Sequence, residues 1–119
     1  MDSKIELLKT TNEYINNLKA SISEVIKYLQ SGEESKGFAL IAEITNALSL
    51  VFEALESAKD VLKKDIYLQS LSERLGQVVE AIINEDTVLI VDLFEYEIVP
   101  ELDNLKEVIN TSIYANGDE

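Results

Sequence analysis

No cysteine, histidine or tryptophan occurs in this sequence, proline occurs once and glycine four times. Each absence removes a class of chemistry. Without cysteine there is neither a disulfide framework nor a thiol nucleophile. Without histidine, Ser–His–Asp and Cys–His arrangements cannot be assembled, and the Glu-x-x-His metal sites of helical bundles cannot be built. Zinc finds neither a thiolate nor an imidazole. No twelve-residue Asp/Asn-rich calcium loop and no glycine-rich phosphate loop appears. No metal or cofactor is therefore expected. What remains is carboxylates, lysines and tyrosines. The acid pairs Asp92/Glu95 and Glu97/Glu101 each share one helix face, whereas hydrolysis by two carboxylates needs them opposed across a cleft. The composition points away from an enzyme.

Long hydrophobic runs are also missing. The longest unbroken aliphatic stretch is Val88-Leu89-Ile90-Val91, against the roughly 20 residues that cross a bilayer. Met1-Asp2-Ser3 leads into a mixed-charge segment rather than a basic stretch followed by an apolar one, so no export signal is expected and the cytoplasm is the expected compartment. An apolar fraction of 46% over 119 residues is enough to bury one core and argues against general disorder.

Positive charge is the scarcest thing in the second half. Residues 1–64 hold ten acids against eight bases; residues 65–119 hold thirteen against two. Between Arg74 and Lys106 no positive side chain occurs, while Glu80, Glu85, Asp86, Asp92, Glu95, Glu97, Glu101 and Asp103 all fall there. A net charge of −13 argues against a binder of phosphate backbones, which needs clustered Lys and Arg, and against docking on anionic membranes. Partners should be neutral or basic.

With so few breakers, the apolar spacing is helical almost throughout. Leu8, Ile15, Ile22 and Leu29 recur every seven residues with Thr11, Leu18 and Val25 between them, giving a first helix over 3–30. Gly32 suits the left-handed position that ends it. Residues 33–63 carry two adjacent stripes, one through Phe38, Ile41, Leu48, Phe52 and Leu55, the other through Leu40, Ile44, Ala47, Val51 and Ala54. Such a wide apolar face predicts the most buried helix, or a seam between two copies. A third helix is expected over 65–84, capped by Asp65, with Leu68, Leu71, Leu75, Val78 and Ile82 in line. The run VLIVDLFEYEIV is rich in strand formers, but Val91, Phe94, Ile98, Leu102, Leu105, Ile109 and Ile113 make one helical stripe, so a fourth helix follows. Asp86 is its expected N-cap, and Pro100 predicts a kink near 96–100. The fold class is all-α: an antiparallel, up-down-up-down four-helix bundle about 30–45 Å long, occupying 1–114, with 115–119 a frayed tail. A shift of 53 residues also lays the turn at Gly32 onto the one at Glu85, a correspondence that two heptad stripes can produce unaided.

On the last helix, Glu97 and Glu101 lie opposite the main stripe and should face water. Asp92 lies instead on a second apolar face with Val88, Leu89, Leu93, Tyr96 and Val99, and Glu95 borders the main stripe. An unpaired buried carboxylate costs several kcal/mol, which leaves two readings. Asp92 bonds internally, to Tyr14, Tyr28, Tyr67 or a lysine; or the face is exposed and presents apolar anchors rimmed by acids to another chain. The second reading makes Val88, Leu89, Asp92, Leu93, Glu95, Tyr96 and Val99 a partner-binding surface.

The segments YLQSGEESKGFALIAEITNAL (28–48) and NEDTVLIVDLFEYEIVPEL (84–102) resemble those of small, uncharacterised acidic helical proteins of Gram-positive bacteria. That resemblance implies a helical bundle and no established activity. In size, acidity and helical content the chain is also similar, in general character alone, to export chaperones of flagellar and type III secretion systems. The function expected is a non-enzymatic interaction module, a chaperone or adaptor, whose acidic C-terminal half takes a basic or amphipathic helix. The alternatives are a structural homodimer and an acidic mimic of nucleic acid. The mimic needs Asp92 and Glu95 exposed.

Overall fold

A computed structural model of the chain describes residues 3–66 and 68–116. Helix α1 spans Ser3–Gln30, α2 Glu34–Ser57, α3 Gln69–Ile83, α4 Thr87–Leu93 and α5 Val99–Ala115. A 3-10 turn over Lys59–Val61 follows α2, and a π-helical turn over Phe94–Ile98 joins α4 to α5 into one rod. Among the described residues there is no strand. The result is the all-α, four-rod bundle expected, 47 Å in its longest dimension.

The two hairpin turns are built alike. At the end of α1, Gly32 adopts φ +82°, its N–H bonds Leu29 O, and the N–H of Glu33 bonds Tyr28 O at 2.8 Å. At the end of α3, Glu85 adopts φ +54°, its N–H bonds Ile82 O, and the N–H of Asp86 bonds Ala81 O at 2.8 Å. Both are Schellman caps, which satisfy the last carbonyls of a helix through one left-handed residue. The second cap forces a non-glycine residue into that region. Gly37, in the first turn of α2, lets that helix approach α1 closely: a Cβ there would meet Leu29 Cδ2 at 2.8 Å and push that side chain aside.

Helix α1 is the central rod, packing along α2 on one side and along the α4–α5 rod on the other. Its seam with α5 is set by a polar ladder. Asn12 Nδ2 donates to Asn110 Oδ1 at 2.6 Å and Lys106 Nζ to Asn16 Oδ1 at 2.5 Å. Lys19 pairs with Asp103 at 2.5 Å. Each step forward on α1 meets the same step backward on α5, so the ladder specifies an antiparallel register that apolar contacts alone would leave free. Lys4 bonds Asp60 across the lower end at 2.7 Å, and this hydrogen bond holds the Asp60 carboxyl below its ordinary pKa.

Helix α3 starts later than expected. Asp65 does not cap it; its first residue is Gln69, preceded by Leu68 with no side-chain cap bond. Residues 62–66 run outside any helix, beginning with Leu62 in extended conformation, and Ile66 and Leu68 pack against the core. The segment is held in place by two bonds. The Lys63 N–H donates to Ser112 Oγ at 2.9 Å, and Asn116 Nδ2 donates to Val61 O at 3.2 Å. The upper half of the bundle therefore has four helices. In the lower half the fourth side is this non-helical segment.

Helix α2 is not the most buried element. Ile41, Ile44, Leu48, Val51 and Leu55 are buried, but Phe38, Leu40, Ala47 and Phe52 are only partly covered and Leu50 is exposed. By length and composition alone α2 could cross a membrane, with mean hydropathy 1.6, a property the short run 88–91 had concealed. Its buried stripe packs on α1 as that of a core helix does. At the far end α5 continues through Ala115, so the tail starts later than 115, and residues 117–119 lie outside those described.

Ser112 is fully buried, accepting from Lys63 N–H while donating to Val108 O at 2.8 Å. Ser112→Ala would strand that amide, and we predict a loss of about 1–3 kcal/mol in urea unfolding at unchanged m-value. A loss below about 0.5 kcal/mol would show that the extended segment is held by its apolar side chains alone.

Candidate functional site

The candidate surface is carried by the α4–α5 rod, and its orientation follows from one packing requirement. Ile90, Phe94, Ile98 and Leu102 are all fully buried, yet they stand four residues apart, a spacing that drifts around an ordinary 3.6-residue helix. The π turn over Phe94–Ile98 removes that drift, because an i→i−5 turn holds more residues than an α turn. Its widened ladder is seen in the bond from Val99 N–H to Phe94 O. It also falls just ahead of Pro100, which has no N–H to give. The interruption expected near 96–100 takes this form.

The start of the rod is fixed by Asp86, whose Oδ1 accepts from Leu89 N–H at 3.1 Å. With four buried residues facing inward, the opposite face carries Val88, Leu89, Asp92, Glu95 and Tyr96. Val88 is 72% exposed and Tyr96 71%; Leu89 is 43% exposed. Asp92 and Glu95 are also exposed, the placement that the second reading of Asp92 needs. It has no ion pair or side-chain hydrogen bond among the described residues, and neither Tyr14 nor Tyr28 reaches it. Tyr67, the third internal partner considered, lies outside the described residues.

Two members of the expected set are placed differently. Leu93 is buried, because three residues on from Ile90 it points to the core. Val99 is partly covered and packs against the core. The working surface is therefore Val88, Leu89, Asp92, Glu95 and Tyr96. Four exposed apolar residues escaped the sequence reading: Leu50 on α2, Tyr114 on α5, and Val79 and Ile83, the last two at 49% and 75% exposure. On α3 these two sit roughly 140° and 180° around the axis from Arg74, so they belong to the flank away from the π turn. Their four-residue spacing on the outer edge of the α3 stripe was the available signal.

Arg74 is the sole cation in residues 65–105, and it is engaged: its Nε lies 3.3 Å from Glu97 Oε2, tying α3 to the π turn. Asp103 is taken by Lys19. Glu80, Glu85, Asp92 and Glu95 have no ion pair among the described residues, so the surface around Val88, Leu89 and Tyr96 is acidic without compensation. Glu101, expected to face water, is only partly exposed. No group of three or more acids, cysteines or histidines able to hold a metal ion occurs among the described residues.

Residues 6–108 match the model of a domain of unknown function, DUF8042. The chain belongs to that family. The matched span takes in all of α2, α3, α4 and the π turn, so the whole acidic face is part of the DUF8042 domain. No curated protein and no solved structure matches the chain.

Exposed and buried residues alternate so closely on this rod that stability separates them. We predict that Tyr96→Ala and Val88→Ala shift unfolding free energy by no more than about 0.5 kcal/mol. Phe94→Ala, two residues from Tyr96, should cost about 3–5 kcal/mol. Chemical denaturation checks both, and a Tyr96→Ala cost above about 2 kcal/mol would make that ring part of the core.

Proposed function

We propose that this DUF8042 protein is a non-enzymatic protein-interaction module. Its acidic C-terminal half takes a basic, amphipathic helix of a partner protein on the outer face of α4 and the π turn. The observation that carries this is the coincidence of apolar anchors and uncompensated acid. Val88, Leu89 and Tyr96 stand in water, and Asp92 and Glu95 stand among them without a cation. An apolar patch with a charged rim is how recognition surfaces are built, and an aromatic anchor such as Tyr96 is the commonest kind of hot spot. Charge selects the occupant. A second copy would bring acid rim against acid rim, which disfavours self-association through this face, whereas lysines flanking a leucine stripe would meet complementary groups. A chaperone or adaptor for an exported or motility component is the concrete form we infer, in the cytoplasm, supported by size, acidity and helical content.

A homodimer is the second reading, and the observation favouring it is on α2 rather than here: Leu50 is 56% exposed on the same flank as the partly covered Leu40 and Ala47. Light scattering at micromolar concentration separates the two, since a strict monomer leaves α2 without that role.

The docking reading is tested by titrating the full chain with an 18-residue Lys/Leu amphipathic peptide and a scrambled peptide of equal charge. The amphipathic peptide should bind, Leu89→Ser/Tyr96→Ala should weaken it by about tenfold or more, and Asp92→Asn/Glu95→Gln should flatten its salt dependence. Equal binding of the scrambled peptide would reduce the surface to a nonspecific acidic field.

A further inference from the structure

Helix α2 keeps one flank that the fold leaves open. It packs along α1 through a stripe that includes Ile41, Ile44, Leu48, Val51 and Leu55. About 100° further round the helix axis stand Leu40, Glu43, Ala47, Leu50, Ala54 and Ser57, each partly covered or exposed, with Leu50 at 56%. Their steps along the chain alternate between three and four residues, the spacing that keeps one helix face against a second helix over its whole length. A flank meant for water alone has no use for that period, and four of its six side chains are apolar.

Charge selects the occupant. Between Lys36 and Glu53 a single charged side chain occurs, Glu43, on a chain whose net charge is −13. A basic helix finds no acidic rim here, in contrast to the face around Val88, Leu89 and Tyr96. A second copy finds a long surface on which acid need not meet acid. Direction follows from the same pattern. Two parallel α2 helices would set Lys36 on Lys36 and Glu43 on Glu43 in the same layers, which is repulsive. In an antiparallel pair with Leu40 against the partner's Leu50, each Glu43 faces a small alanine, the partner's Ala47. Lys36 then falls beside the partner's Glu53. Glu53 has no ion pair among the described residues, and the bond from Lys36 to Glu33 joins two exposed side chains and is readily exchanged. A two-fold axis makes each of these contacts twice.

We propose that two copies of the chain pair through this flank as an antiparallel α2 coiled coil, with Leu40 of each against Leu50 of the other. The proposal rests on the homodimer reading above and adds its face, direction and register. Because α1 stands between α2 and the α4–α5 rod, both acidic docking faces stay uncovered, and the pair presents two of them.

The test is sedimentation equilibrium of the full chain at micromolar concentration. The wild type should be a dimer, Leu50→Glu a monomer with unchanged helicity by circular dichroism, and Glu43→Leu a dimer about tenfold tighter or more. Lys36→Glu should weaken the pair and Lys36→Glu/Glu53→Lys should restore it, which reads the register; should Leu50→Glu not fold, this charge swap still decides. The chain has no cysteine, so oxidation of single-cysteine variants reads the direction. The two Ala47 positions lie about 6 Å apart along the seam and the two Ser57 positions about 36 Å, so Ala47→Cys should cross-link and Ser57→Cys should not. Cross-linking of both would overturn the antiparallel arrangement. A monomeric wild type would overturn the proposal together with the homodimer reading, whereas a dimer that survives both Leu50→Glu and Lys36→Glu would overturn the seam alone. Dissociation of the dimer by the Lys/Leu peptide would assign the flank to a partner helix instead.

Discussion

Four large side chains at four-residue intervals, Ile90, Phe94, Ile98 and Leu102, must all reach one core, and an unbroken α-helix cannot bring them there. The π turn meets that demand, and the arrangement of the acidic half follows. Widening the helix over Phe94–Ile98 turns Tyr96 outward while Glu97 is set within reach of Arg74 on α3. It also determines where Glu101 emerges, one turn later, beside a groove lined by Leu71, Leu105 and Val108. The exposed face of α4 and the placement of Glu101 are thus two consequences of one packing constraint. Pro100 makes the solution cheaper, since one of the bonds a continuous α ladder would need has no donor.

The second constraint is the shortness of α3. Fifteen helical residues cannot cover a rod that runs from Thr87 to Ala115. The chain covers the remainder with irregular backbone, which lacks a helix's own hydrogen bonds. Ser112 and Asn116 compensate by reaching from α5 to the amide of Lys63 and the carbonyl of Val61. A groove lined by Ile66, Leu71, Leu105 and Val108 opens beside it.

These constraints explain what was legible in the sequence. The heptad of α1 and the stripe from Val91 to Ile109 could be read because burial on one helical face imposes its period on the residue string. The Asp86 cap and the left-handed Gly32 are local choices with local signals. The start of α3 was not legible: Asp65 offers a good cap, but the backbone before it is tied to α5 by the bond from Lys63 N–H to Ser112 Oγ, a contact distant in sequence. The π turn was foreseen as an interruption at Pro100 but not in kind, although the four-residue spacing of Ile90, Phe94, Ile98 and Leu102 was there to be counted. The burial of Leu93 was missed for the same reason. The exposure of Asp92 could not be settled from a wheel, since an apolar second face looks the same whether a neighbouring helix covers it or water does.

The charge asymmetry takes its meaning from these placements. Solubility alone would scatter acids over any exposed position, and several are so scattered. The acids of the last rod are instead sorted by what each meets. Asp86 caps a helix, Glu97 and Asp103 are paired across seams, and Asp92 and Glu95 stand among exposed apolar side chains. Glu101 is half withdrawn into a groove with one oxygen unserved. No cation pairs with the last three among the described residues, although lysine is used freely along α1, at Lys4, Lys9, Lys19 and Lys27. A chain able to place Lys106 against Asn16 and Lys19 against Asp103 has the means to quench an acid wherever its own fold requires it. Where it does not, as at Asp92 and Glu95, the acid is left exposed beside Val88, Leu89 and Tyr96.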